Sequence, residues 1–163
     1  MSNHIVFRTE PIPEDIENIR RIVVSTSFFQ DHEIPVAVEL VEERLAKGLE
    51  SGYLFIFAEI DGETIAYACF GEIACTKGSY DFYWMATHID YQRKGIGKQL
   101  MDGVQEQVKN LGGRVIYIET SSKEQYVPTR KLYENYGYKL EAVFKDFYDI
   151  GDDKCVYSYK LDK

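Results

Sequence analysis

The hydrophobic period changes twice between residues 80 and 120, and this switch constrains the fold more than any other feature of the chain. Tyr80 to Ile89 is rich in aromatic residues and reads as a strand. Gly95 to Leu111 then places Ile96, Leu100, Val104, Val108 and Leu111 at helical spacing, and Gly112-Gly113 ends the run. Arg114 to Thr120 returns to strand character before Ser121-Ser122. A strand, a helix and a strand in this order form a crossover unit, so the two strands are expected to run parallel.

The remaining elements are shorter and mostly antiparallel. His4 to Thr9 reads as extended and leads to the turn Pro11-Ile12-Pro13. Asp15 to Phe28 carries Ile16, Ile19, Ile22 and Val23 at helical spacing, and Phe29 to Ile34 reads as a polar loop. Pro35 opens a second helix with Ala37, Val41 and Leu45 on one face and a stop at Gly48. Tyr53–Ile60 and Thr64–Ala74 flank Asp61-Gly62, a strong two-residue hairpin signal, and Thr76–Ser79 is a turn. Pro128 to Tyr136 forms a short helix stopped by Gly137, and strands Tyr138–Phe147 and Cys155–Leu161 flank a turn over residues 149–153. The expected fold is α/β: a mixed, mostly antiparallel sheet of about seven strands, a central parallel βαβ pair and four helices.

A chain of 163 residues without a visible linker or repeat is expected to form one domain, residues 1–163. The longest apolar run, Tyr53 to Ala58, is far short of the ~20 residues a membrane span needs, and the start lacks a secretory pattern. The three cysteines have no CxxC spacing, which argues against a disulfide framework or a structural zinc site and for a reducing cytoplasm. No metal is expected. The net charge is −8, a poor basis for nucleic-acid binding. All of it sits in residues 1–80, with 6 basic and 14 acidic side chains, whereas residues 81–163 hold 13 of each.

Between the crossover's first strand and its helix stands Gln92-Arg93-Lys94-Gly95-Ile96-Gly97. Gly95 and Gly97 allow φ > 0 and close approach of a bound group. The helix start offers free N–H groups and partial positive charge, and Arg93, Lys94 and Lys98 add cations, which together suit a pyrophosphate. The spacing is neither the three-glycine dinucleotide fingerprint nor a P-loop, and a plain turn into a helix stays open as the alternative.

Gln92-x-x-Gly95-x-Gly97, following Trp84 to Asp90, resembles the acetyl-CoA motif of the GNAT N-acetyltransferases. Leu132-Tyr133-Glu134-Asn135-Tyr136-Gly137-Tyr138 is similar to the family's second motif, and the element order matches over nearly the whole chain. Many members carry Asn and Ala where this chain has Tyr126 and Thr129. The resemblance implies a single-domain GNAT-like fold, with acetyl-CoA as cosubstrate and a primary amine as acceptor. It implies that main-chain groups of Met85, Ala86 and Thr87 bond the pantetheine and the thioester carbonyl, with Gln92, Arg93, Lys94, Gly95, Ile96 and Gly97 around the pyrophosphate. It assigns Tyr133 to protonating the departing thiolate. Asp81 and Glu119 are alternative bases for the amine, or ends of a water chain, with His88 a weaker third.

Asp31, Glu33, Glu39, Glu42 and Glu43 in the first half, with Asp149, Asp152 and Asp153 in the last turn, suit a cationic acceptor, either a small amine or a protein or peptide amine. Solubility explains the same acidity. Phe28, Phe29 and Tyr53 suit an apolar acceptor pocket instead. A different class of function is a non-catalytic acyl-CoA sensor or subunit on the same fold. The oligomeric state stays open, a homodimer included.

Overall fold

A computed structural model describes residues 4–161; Met1–Asn3, on which the expectation about a secretory start partly falls, lie outside the described residues. The seven strands are β1 (Ile5–Arg8), β2 (Leu54–Ile60), β3 (Glu63–Glu72), β4 (Ser79–Thr87), β5 (Val115–Ser121), β6 (Lys139–Asp149) and β7 (Asp152–Lys160). The four α-helices are α1 (Asp15–Ser25), α2 (Glu33–Lys47), α3 (Ile96–Asn110) and α4 (Val127–Tyr136). The strands follow the order β1-β2-β3-β4-β5-β7-β6. β4 and β5 pair in parallel, as the crossover demands, whereas β1–β2, β2–β3, β5–β7 and β6–β7 are antiparallel. Among the described residues no helix is long and apolar enough to cross a membrane.

Several boundaries differ from the expected ones: α1 ends at Ser25 rather than Phe28, β3 ends at Glu72 rather than Ala74, and β6 runs on to Asp149. α2 begins at Glu33, because the Glu33 carboxylate accepts the Gln30 N–H (2.6 Å) and starts the helix before Pro35. The last turn is only Ile150-Gly151, since Asp149 pairs with Asp152 and draws residues 152–154 into β7. Leu111 lies beyond the end of α3 and is exposed; the buried stripe is completed by Met101 instead.

The chain divides into two compact units. One holds the chain up to Gly71 together with Trp84–Glu106. Its core joins Ile19, Ile22 and Val23 of α1 and Ala37, Val38 and Val41 of α2 to Phe55, Phe57, Tyr67 and Cys69 of the β2–β3 hairpin. Phe29 and Tyr53 are part-buried and pack against this core. A buried ion pair fixes its entrance: Asp15 accepts from Arg8 (2.8 Å), the Ile12 N–H (2.8 Å) and Asn18 (3.0 Å), which satisfies a carboxylate that would otherwise be costly to bury.

The other unit holds Glu72–Tyr83 and the chain from Gln107 onward. Register pairs share a face and successive residues alternate, so Ile116, Ile118, Tyr157 and Tyr159 lie on one face of the β5–β7 ladder. Tyr117, Glu119, Val156 and Ser158 lie on the other. α4 packs on the first face through the Tyr133–Tyr157 ring contact (6.0 Å).

Candidate active site

In the first unit, β4 runs into a 3-10 turn over Ile89–Tyr91. His88 ends the strand: its N–H donates to the Ile65 carbonyl (2.8 Å), and its Nδ1 accepts the Asp90 N–H (3.2 Å). A ring nitrogen that caps a turn has its lone pair engaged, which favours a structural role for His88. Gln92 Nε2 donates to the Thr87 carbonyl (3.1 Å), so one of the main-chain groups expected to meet pantetheine is partly engaged by the motif's own glutamine.

The turn itself takes two left-handed residues, Arg93 (φ 63°) and Gly95 (φ 78°). Gly97 does not: it is the second residue of α3 and helical, so its lack of a side chain provides room and not φ freedom. A Cβ built on Gly95 meets nothing within 4 Å, so the surface above it is open. Arg93, Lys94 and Lys98 are exposed around this helix start. Ile96 is buried and anchors α3, which leaves only its main chain for a ligand. Ala86 is buried and joins the core of this unit, and Met85 is half-buried. The residues present therefore fit a pyrophosphate: free helix N–H groups, a bare glycine and three cations.

In the second unit, the parallel ladder runs from Ser79↔Val115 to Asp81↔Tyr117 and stops there. Asp81 and Glu119 share a face and are electrostatically coupled. Burial, then the Glu119 charge, raises the Asp81 pKa from its ordinary value, and Lys154 opposes this. Lys154 Nζ lies 3.2 Å from Glu119 Oε1. Burial and the charges of Glu119 and Asp152 push the Tyr148 phenol up to about 12. Sequence reasoning misses Lys154 and Tyr148 because Lys154 reaches Glu119 through β5–β7 pairing and Tyr148 is brought in by the β6–β7 hairpin, not by local spacing.

Tyr133 is half-buried in the last turn of α4, and burial, then Tyr126 and Tyr157, pushes its phenol well above the ordinary range. The surrounding motif proves to be a helix terminus. The Gly137 N–H (3.2 Å) and the Tyr138 N–H (3.0 Å) both donate to the Tyr133 carbonyl, with Gly137 left-handed at φ 119°. Glu134 accepts from the buried Tyr157 hydroxyl (3.0 Å). A Cβ on Gly137 would lie 3.2 Å from the Tyr159 ring. Gly137→Ala is expected to lower stability by about 1–2 kcal/mol through strained φ and this contact. Urea unfolding checks it, and an unchanged midpoint would remove the capping role.

Several of the acidic residues expected to face a cationic acceptor are engaged within the protein. Asp152 is buried and accepts from the Ser121 hydroxyl, Asp153 accepts the Asp146 N–H (2.9 Å), and Glu43 pairs with Lys47 (2.8 Å). Asp31, Glu39 and Glu42 remain exposed. Arg130 of α4 donates to the Ser121 (2.7 Å) and Lys123 (3.0 Å) carbonyls and so ties the β5–α4 connection to the helix.

The family model described as the acetyltransferase (GNAT) domain matches residues 51–140. A solved structure from Desulfovibrio desulfuricans, of a protein assigned to the GNAT acetyltransferases, is 43% identical with a TM-score of 0.95, over 96% of this chain and 99% of that one. The Bacillus subtilis (strain 168) uncharacterized N-acetyltransferase YsnE is 33% identical over 63 residues, which is 39% of this chain and 42% of that protein, so the match spans less than half of that relative. An aminoglycoside 6'-N-acetyltransferase complexed with coenzyme A shares the fold at 14% identity, with a TM-score of 0.75 over 97% of this chain and 98% of that one. The chain belongs to the GNAT family of N-acetyltransferases.

Proposed function

We propose that the whole chain, residues 1–163, acts as one acetyl-CoA-dependent N-acetyltransferase domain that moves an acetyl group to a primary amine by direct attack. The observation that carries this reading is the β4–α3 turn. A left-handed Gly95 under open space, next to a helix start and three exposed cations, suits a pyrophosphate in a protein of net charge −8. A coenzyme A complex on the same fold supports the choice of cosubstrate. Main-chain groups of Met85, Ala86 and Thr87 would hold the pantetheine and the thioester carbonyl. A preorganised N–H at that oxygen contributes ~3–4 kcal/mol once negative charge develops there.

The roles divide between the two faces of the β5–β7 ladder. Asp81 and Glu119 take the acceptor's ammonium proton, directly or through water, which frees the lone pair for attack. Tyr133, on the opposite face, donates its O–H toward the departing sulfur. The raised pKa keeps Tyr133 protonated. Full transfer to a thiolate whose conjugate acid is near ~8.5 is uphill, so Tyr133 acts first as a strong hydrogen-bond donor.

The acceptor is a cationic amine, small or carried by a peptide. The fold neighbour named for aminoglycoside acetylation acts on a molecule of that charge. The acyl-CoA sensor alternative lacks an observation in its favour, because both carboxylates and Tyr133 are present. Release of CoA across a panel of amines tests catalysis and acceptor class together; binding of acetyl-CoA without turnover on any amine would leave the sensor reading. Gly95→Val is expected to weaken acetyl-CoA about 10–100-fold, because left-handed φ costs a β-branched residue ~1–3 kcal/mol and the side chain enters the open space. Calorimetry on the folded variant measures this directly, and unchanged affinity would move the pyrophosphate elsewhere.

A further inference from the structure

The Lys154 ammonium sits in a setting that resembles a substrate site. Its Nζ lies 3.2 Å from Glu119 Oε1, 4.2 Å from the centre of the Phe147 ring and 5.5 Å from that of Phe144. The Lys154 side chain is only 16% exposed, while Glu119 is 48% exposed and both rings are about half exposed. Asp81 adds a second carboxylate on the same face, paired with Tyr117 two residues before Glu119. Carboxylates combined with aromatic faces are how proteins bind alkylammonium ions.

We propose that Lys154 is an internal stand-in for the acceptor: its ammonium fills the carboxylate–aromatic site that takes the primary alkylammonium of the substrate, and the substrate binds by displacing it. The group displaced is a straight alkyl chain ending in –NH3+. The class of acceptor is therefore an unbranched primary alkylamine, such as a lysine side chain or an arm of a polyamine, in preference to an aromatic amine. With Lys154 in place, two carboxylates face one cation. When it withdraws, the incoming ammonium meets the same two carboxylates and the same ring. The proposal rests on the acetyl-transfer reading for the chemical step after binding, and the binding step itself stands apart from it.

Lys154→Met keeps an unbranched side chain over Phe147 and removes the competing charge. In NMR titrations with n-butylamine at low salt and without acetyl-CoA, the variant is expected to bind about three- to tenfold more tightly than the parent, since freeing a partly exposed ion pair changes binding by that order. Lys154→Arg keeps a cation there and should stay at the parent's affinity. Adding Phe147→Leu to Lys154→Met should reverse part of the gain. If Lys154→Met unfolds, Lys154→Gln carries the same test. Affinity that is unchanged or weaker without the lysine, or no saturable binding in any variant, overturns the proposal. Tighter amine binding without any acetylated product would sink the acetyl-transfer reading and leave this one standing. Acetylation that persists with unchanged amine affinity would do the reverse.

Discussion

Tyr133→Phe is expected to lower kcat by about 10²–10⁴-fold while acetyl-CoA affinity stays at the parent level. The substitution keeps the ring, and with it the contacts to Tyr138 and Tyr157 at 6.0 Å, so the fold and the end of α4 should be preserved. Only the O–H, which the proposed mechanism directs at the leaving sulfur, is lost. The pH dependence carries a sign. Burial, then Tyr126 and Tyr157, raises this phenol's pKa, so the protonated form persists through neutral and moderately alkaline pH. The parent should therefore show no falling limb from Tyr133 in that range, and raising the pH should not rescue the variant. Stopped-flow or quenched turnover, under conditions where chemistry limits, measures the effect. A parent-like rate there would return Tyr133 to being a packed helix residue.

Removing the base should be comparable in size and opposite in its pH response. Asp81→Asn and Glu119→Gln together are expected to cost about 10²–10⁴-fold at neutral pH, because most of a primary amine is protonated there and nothing nearby accepts its proton. Alkaline solution supplies the free amine, so the double variant should recover part of the lost rate as pH rises. The single variants separate the two carboxylates. The Asp81 pKa is raised by burial and then by the Glu119 charge, so an Asp81 base sets the acid-side limb at a higher pH than an ordinary carboxylate would. Glu119→Gln removes one of the two causes of that shift and should move the limb to lower pH. Asp81→Asn should abolish it. A kcat/KM profile whose limb ignores both substitutions assigns the proton to water instead.

Much of the architecture is legible in the sequence because its signals are local. The period change around Gly95 identifies the crossover, and parallel pairing follows from chain connectivity alone. Asp61-Gly62 marks the hairpin that β2 and β3 form. The Gln92–Gly97 turn and Tyr133 are legible as motifs, since each is a short run whose neighbours in sequence are also its neighbours in space. Where local signals mislead, a longer-range partner is responsible. Composition leaves Gly97 free to take positive φ, but α3 starts at Ile96 and claims it, and the second left-handed residue is Arg93. Charge pattern puts Asp152 in an open acidic mouth, but the Ser121 hydroxyl and burial remove it from solvent.

Sequence by itself determined the elements, the crossover and the chemical types available: a glycine turn with cations, two strand carboxylates and a tyrosine beside a helix stop. Those depend on residue type and on spacings of a few positions, which the chain carries wherever it folds. Tertiary structure decided which of these groups share a face. Glu119 and Ile118 are adjacent in sequence, yet alternation sends one toward Lys154 and Phe147 and the other toward the α4 side. Lys154 is 35 positions from Glu119 and reaches it only because β7 runs antiparallel to β5 and pairs Ser121 with Lys154. Charge coupling falls off over a few ångströms, so it depends on the folded register and not on distance along the chain.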